Sequence, residues 1–63
     1  MANLEETLRL TKLAYEAYGK SANWLNYQQL PMPQWEQLPL KTRQHWLMAI
    51  ETVVDEIRPT IYD

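Results

Sequence analysis

The sequence predicts an all-α fold in a single small domain, residues 1–63, with two main helices at about 4–18 and 39–57. Apolar side chains recur at helical spacing near both ends of the chain. None of the four prolines interrupts either stretch. A chain of 63 residues can form at most one core, and it buries too little surface to be strongly stable alone.

The first predicted helix has a wide apolar arc. Its charged residues fall on one narrow strip, and most other positions are apolar or small. A helix on the surface of a globular domain shows a narrower apolar stripe. We therefore expect this helix to be covered on more than one side, which favours a two-fold symmetric homodimer. Gly19, the only glycine, follows the predicted end and suits a left-handed helix-capping position.

The second predicted helix begins at Pro39, because proline is favoured at the first helical position. The pair Arg58-Pro59 ends it at about Ile57. At 100° per residue, one stripe faces the core. Its predicted members are Trp46, Ile50, Val53 and Ile57.

The segment between the helices is rich in aromatic residues and contains Pro31 and Pro33. A solvated linker would not carry Trp24, Tyr27 and Trp35, so we interpret the segment as an ordered wrap across both helices. These side chains can belong to the core or to a protein interface. A platform for stacking nucleic-acid bases is the weaker alternative, because no basic track runs beside them.

Arg43 is the informative charge. It falls at the edge of the apolar stripe, one turn before Trp46, where a guanidinium must be paired or reach water. Glu36 and the backbone carbonyl of Trp35 are its expected partners. Recognition of a ligand or partner is the alternative role, because arginine beside aromatic rings binds anions well.

Composition excludes several function classes. The net charge of −2 argues against nucleic-acid binding, which needs a basic patch. Without cysteine and with His45 as the one histidine, no structural zinc site or disulfide can form. No apolar run is long enough to span a membrane, and the amino-terminal residues do not form a signal peptide. We expect no catalytic residue, cofactor or metal, and a cytoplasmic location.

The run Trp-x-x-Leu-Pro-x-x-x-Arg-x-x-Trp links the connecting segment to the second helix. Its members are Trp35, Leu38, Pro39, Arg43 and Trp46. The chain thereby resembles a class of small phage-encoded proteins of unassigned function. It is more distantly similar to the helical repeat module of ryanodine receptors. The phage resemblance implies an accessory protein in the host cytoplasm, and it implies no chemistry.

Together these patterns predict a non-enzymatic module that acts by protein–protein interaction. Its expected partners are a second copy of the chain and an unidentified host or phage protein. The candidate interaction residues are Trp24, Tyr27, Trp35, Arg43 and Trp46. The alternative is a module for a small ligand or nucleotide, bound by Arg43 and the tryptophans.

Overall fold

The computed structural model describes residues 4–57 and confirms the all-α fold. Helix α1 spans Leu4–Ser21 and helix α2 spans Leu40–Ile57. Between them, Trp35–Gln37 forms a single 3-10 turn. Among the described residues there is no β-strand, only an isolated bridge between Leu25 and Pro31. The predicted helix bounds therefore agree with the structure to within three residues.

Helix α1 ends in a Schellman motif. The backbone N–H of Asn23 donates to the carbonyl of Lys20 at 3.2 Å, and that of Trp24 donates to the carbonyl of Gly19 at 2.7 Å. Asn23 and Trp24 both have a φ of 56°. The left-handed capping residue is therefore Asn23, and the prediction for Gly19 is wrong. Gly19 is helical and buried, and any Cβ there would overlap the ring of Trp24.

Tyr15 is the centre of the core. Its side chain is 3% exposed, and its hydroxyl donates to the carbonyl of Pro33 at 2.7 Å. Its ring centroid lies 6.1 Å from that of Trp24, 5.8 Å from Trp35 and 5.4 Å from Trp46. One tyrosine thus joins α1, the connecting segment and α2, as expected for a segment that wraps across both helices.

The buried face of α1 is not its leucine-rich face. The buried positions follow one another at intervals of four residues: Thr7, Thr11, Tyr15 and Gly19. Thr11 is fully buried, and its hydroxyl donates to the carbonyl of Thr7 at 2.6 Å. Leu13, on the opposite side, is 57% exposed. Within residues 4–57, the expectation that α1 is covered on more than one side is not met.

Helix α2 is rotated relative to its predicted stripe. Trp46 and Ile50 are half-buried, as expected. Val53 is 52% exposed and Ile57 is also exposed, whereas Val54 is buried. The buried line runs towards Leu47 and Val54, because the side of α2 that carries Arg43 also turns inward. The sequence did not indicate this orientation, because Arg43 is charged and the apolar pattern places it only at the edge of the stripe.

The connecting segment makes a hairpin-like loop between Trp24 and Met32. The N–H of Met32 donates to the carbonyl of Trp24 at 2.7 Å. The side-chain oxygen of Asn26 accepts the N–H groups of Gln28 and Leu30 at 2.8 and 3.0 Å. These bonds define the conformation of the loop. Its tip lies in solvent, and Tyr27 there is 90% exposed.

Candidate functional site

A half-enclosed groove of about 140 Å³ lies where α1, the 3-10 turn and α2 meet. We call it the Arg43 groove. It is lined by Leu8, Trp35, Leu40, Arg43, Gln44 and Leu47. The local fold explains its position. The side chain of Gln37 accepts the backbone N–H of Gln34 at 3.0 Å, which fixes the turn that carries Trp35.

Arg43 is the unusual member of this lining. Its Nε atom is buried and has no hydrogen-bond partner among residues 4–57. A buried polar group without a partner is destabilising by about 1–3 kcal/mol, and by more when the group is charged. Arg43 also lies in the first turn of α2, where the helix dipole adds further positive potential. The groove therefore combines apolar walls with a buried guanidinium N–H that has no acceptor among residues 4–57.

Glu36 forms no direct ion pair with Arg43, so the predicted Arg43–Glu36 pairing is wrong. Its carboxylate is bound instead by Lys12 of α1, with Nζ and Oε2 2.8 Å apart. The hydrogen bond from Lys12 is the main cause that lowers the pKa of Glu36, and the charge of Arg43 contributes least. The same hydrogen bond raises the pKa of Lys12. Lys12 therefore holds the carboxylate of Glu36 in a direct ion pair, and Arg43 interacts with that carboxylate only weakly.

The rim of the groove is apolar and open to solvent. Leu40 is 63% exposed at the first position of α2, and Leu8 of α1 is exposed on the facing wall. Leu4, one turn before Leu8 on the same side of α1, is exposed as well. The exposed leucines at and beside the groove form a larger apolar surface than isolated exposed side chains would.

The structure divides the predicted interaction residues into three groups. Trp24 and Trp46 pack against Tyr15 and contribute mainly to the core. Trp35 contacts Tyr15 and also lines the groove beside Arg43. Tyr27 is isolated at the tip of the connecting loop. Of the predicted set, only Trp35 and Arg43 are therefore brought together at one site.

Sequence reasoning missed the aliphatic part of the groove. Leu8 was one apolar residue among many on α1, and Leu40 looked like an ordinary helix start. A signal was present, since Leu40, Gln44 and Leu47 recur at helical spacing beside Arg43. Nothing in the sequence indicated that Leu8 would face them across the two helices.

A second, shallow depression of about 240 Å³ lies on another side of α2. It is lined by His45, Trp46 and Ala49. Its lining includes no buried polar atom without a partner. It is larger than the Arg43 groove, but it lacks a feature that would select a ligand.

Comparisons with known proteins identify no relative: no protein family, curated protein or solved structure matches the chain. Within residues 4–57, neither helix is apolar enough along its length to cross a bilayer. The same residues contain no group of three or more side chains that could hold a metal ion. The candidate site therefore rests on the geometry of the groove.

Proposed function

We propose that the chain is a non-enzymatic, phage-type accessory protein that acts in the host cytoplasm by binding another protein in the Arg43 groove. The observation that supports this proposal most directly is the buried, unpartnered Nε of Arg43 beneath a rim of exposed leucines. The run from Trp35 to Trp46 resembles small phage-encoded proteins, and this resemblance supports the proposed phage origin and host cytoplasm.

The size of the groove favours a protein side chain as its occupant. Pockets for small-molecule ligands and cofactors usually have volumes of about 300–1,000 Å³. The Arg43 groove, at about 140 Å³, has room for one side chain or its carboxylate. The surrounding leucines offer further area to a polypeptide.

The chemistry of the groove specifies what the bound segment carries. A carboxylate satisfies the guanidinium of Arg43 and can accept two parallel hydrogen bonds from it. An apolar side chain next to that carboxylate covers Leu8 and Leu40. The partner is therefore a segment with an Asp or Glu beside a large apolar residue.

A selection from a displayed random-peptide library tests this proposal. We expect the immobilised chain to enrich peptides that combine an acidic residue with a neighbouring apolar one. Leu40→Glu should lower the affinity for the selected peptides by at least about tenfold. The introduced glutamate can pair with Arg43 in place of the carboxylate of the peptide.

Leu30→Glu is the matched control, since Leu30 is similarly exposed but lies in the connecting loop. It should leave peptide affinity unchanged. Peptides that bind Leu40→Glu as tightly as the original chain would place the binding site elsewhere. Enrichment of purely basic or purely apolar peptides would exclude a carboxylate receptor.

A second candidate function is binding of a small anionic ligand such as a nucleotide. The observation that favours it is the proximity of Arg43 to the ring of Trp35 in one groove. A thermal-shift series with nucleotides decides this alternative. At a concentration one hundred times the dissociation constant, a ligand stabilises the folded chain by about 2.7 kcal/mol. No shift at millimolar nucleotide excludes it.

A further inference from the structure

The outer face of α1 is a second apolar surface, and it lies opposite the face that packs in the core. We call it the α1 outer strip. It comprises Leu10, Leu13 and Ala17, and the charged residues Glu6 and Lys20 continue the same line at its two ends. Their spacing of three and then four residues is the spacing that lines up apolar side chains between two paired helices. Nothing in residues 4–57 packs over Leu13, which is 57% exposed.

Charged residues border this strip in an order that can complement itself. Arg9 and Glu16 lie on the same flank, seven residues apart. Within residues 4–57 neither forms an ion pair. A partner helix that runs in the opposite direction brings its own Glu16 towards Arg9, and its own Arg9 towards Glu16.

We propose that the α1 outer strip is the contact between two copies of this chain, paired as antiparallel α1 helices. Leu10 of each copy faces Leu13 of the other. In this register Arg9 and Glu16 of the two copies are offset by about 3 Å along the axis, from a rise of 1.5 Å per residue, and two ion pairs form. The contact is self-complementary, as two-fold symmetry requires.

The register and the direction follow from the charges. A shift by one heptad would place the two Glu16 carboxylates beside each other, and like charges there repel. In a parallel pairing, no acidic residue of the partner helix would lie opposite Arg9. The antiparallel register that pairs Leu10 with Leu13 also overlaps almost the full length of α1, Leu4–Ser21.

This dimer leaves the Arg43 groove free, because the strip and the groove lie on different sides of α1. Each pair of chains therefore presents two grooves, and a divalent partner gains avidity from them. One helix pairing with itself covers less than the about 800 Å² per partner of a standard interface. We therefore expect a weak, reversible dimer.

Sedimentation equilibrium over a range from micromolar to millimolar chain tests the dimer. The expected result is a monomer–dimer equilibrium that Leu13→Glu shifts at least about tenfold towards monomer. Leu30→Glu and Leu40→Glu, which introduce the same charge elsewhere, should leave it unchanged. A chain that stays monomeric throughout, or a dimer that Leu13→Glu does not weaken, overturns the proposal.

A charge exchange keeps the test valid if Leu13→Glu were to affect folding. Arg9→Glu and Glu16→Arg should each weaken the dimer, because each places like charges together. The double variant should restore it. Failure of the double variant to recover the original association overturns the ion pairing and with it the register.

Distance measurement distinguishes the two helix directions. The cysteine-free chain allows a single spin label at Lys20→Cys. In the antiparallel dimer the two labelled positions are about 25 Å apart along the axis, whereas parallel helices hold them about 10 Å apart. A short distance in electron spin resonance would overturn the antiparallel arrangement.

Discussion

The two sides of α1 do not follow the usual rule that the more apolar side of a helix faces the core. The inward side buries two threonines, a tyrosine and a glycine. The outward side leaves leucines in solvent. Hydrophobicity alone would place the leucine-rich side against the core. We attribute the orientation to side-chain volume, since the small residues on either side of Tyr15 let the other elements approach the helix closely.

The inward side works because its neighbours are large. The ring of Trp24 lies against Gly19, and three tryptophans surround Tyr15. Large aromatic rings from the connecting segment and α2 need a surface with room, which threonine and glycine provide. The outward side has no such constraint, so its leucines are available for a partner.

The largest expected effect comes from removing the centre of the inward side. Tyr15→Ala should destabilise the fold by about 3–5 kcal/mol, because its ring contacts all three tryptophans. That is most of the stability that a domain of this size has. Urea denaturation followed by circular dichroism measures it. A stable, cooperative fold in Tyr15→Ala would contradict the packing described here.

An exchange of residue types between the two sides tests the role of volume directly. Thr11→Leu should destabilise the fold by about 1–3 kcal/mol, because Thr11 is fully buried and a larger side chain would have to displace its neighbours. Leu13→Thr, on the outward side, should change stability by no more than about 0.5 kcal/mol. Equal effects from the two variants would show that the sides do not differ in packing.

Gly19→Ala separates packing from helix propensity. Alanine favours a helix over glycine by about 1 kcal/mol. The added Cβ would overlap the Trp24 ring, and such overpacking is destabilising by about 1–3 kcal/mol. We expect a net loss of about 1 kcal/mol, or a fall of about 4–8 °C in melting temperature. A rise in Tm would mean that Trp24 moves aside freely.

The smallest effect belongs to the exposed pair between α1 and the 3-10 turn. The pKa of Glu36 is lowered from 4.5 by its hydrogen bond to Lys12, so its contribution is present above pH 4.5 and is lost as the pH falls through the lowered value. The pKa of Lys12 is raised from 10.5, so its contribution is lost as the pH rises through the raised value.

Thermal melts of the original chain and Glu36→Gln check this pair. They should differ slightly between about pH 5 and 10 and converge in acid, once the carboxylate of Glu36 is protonated. A difference that persists at pH 2 would assign the effect to packing of Glu36 and not to its charge.

The helices were predictable because helical spacing and the positions of proline are local signals. The wrap was predictable because Trp24 and Trp35 could not belong to a solvated linker. The orientation of α1 was not, since Thr7 and Thr11 have no hydrophobic signature. The groove was missed for a different reason: Glu36 looked like the partner of Arg43, and the sequence could not show that Glu36 would pair with Lys12 of α1.

The arrangement around Tyr15 has a spectroscopic consequence. Every tryptophan in the sequence has its ring centroid within 6.1 Å of the Tyr15 ring. Light absorbed by this tyrosine is therefore passed to neighbouring indoles, and all of the tryptophan emission reports on one small volume. Separation of either helix from the connecting segment would alter that emission, so the chain carries its own optical probe of whether its core is intact.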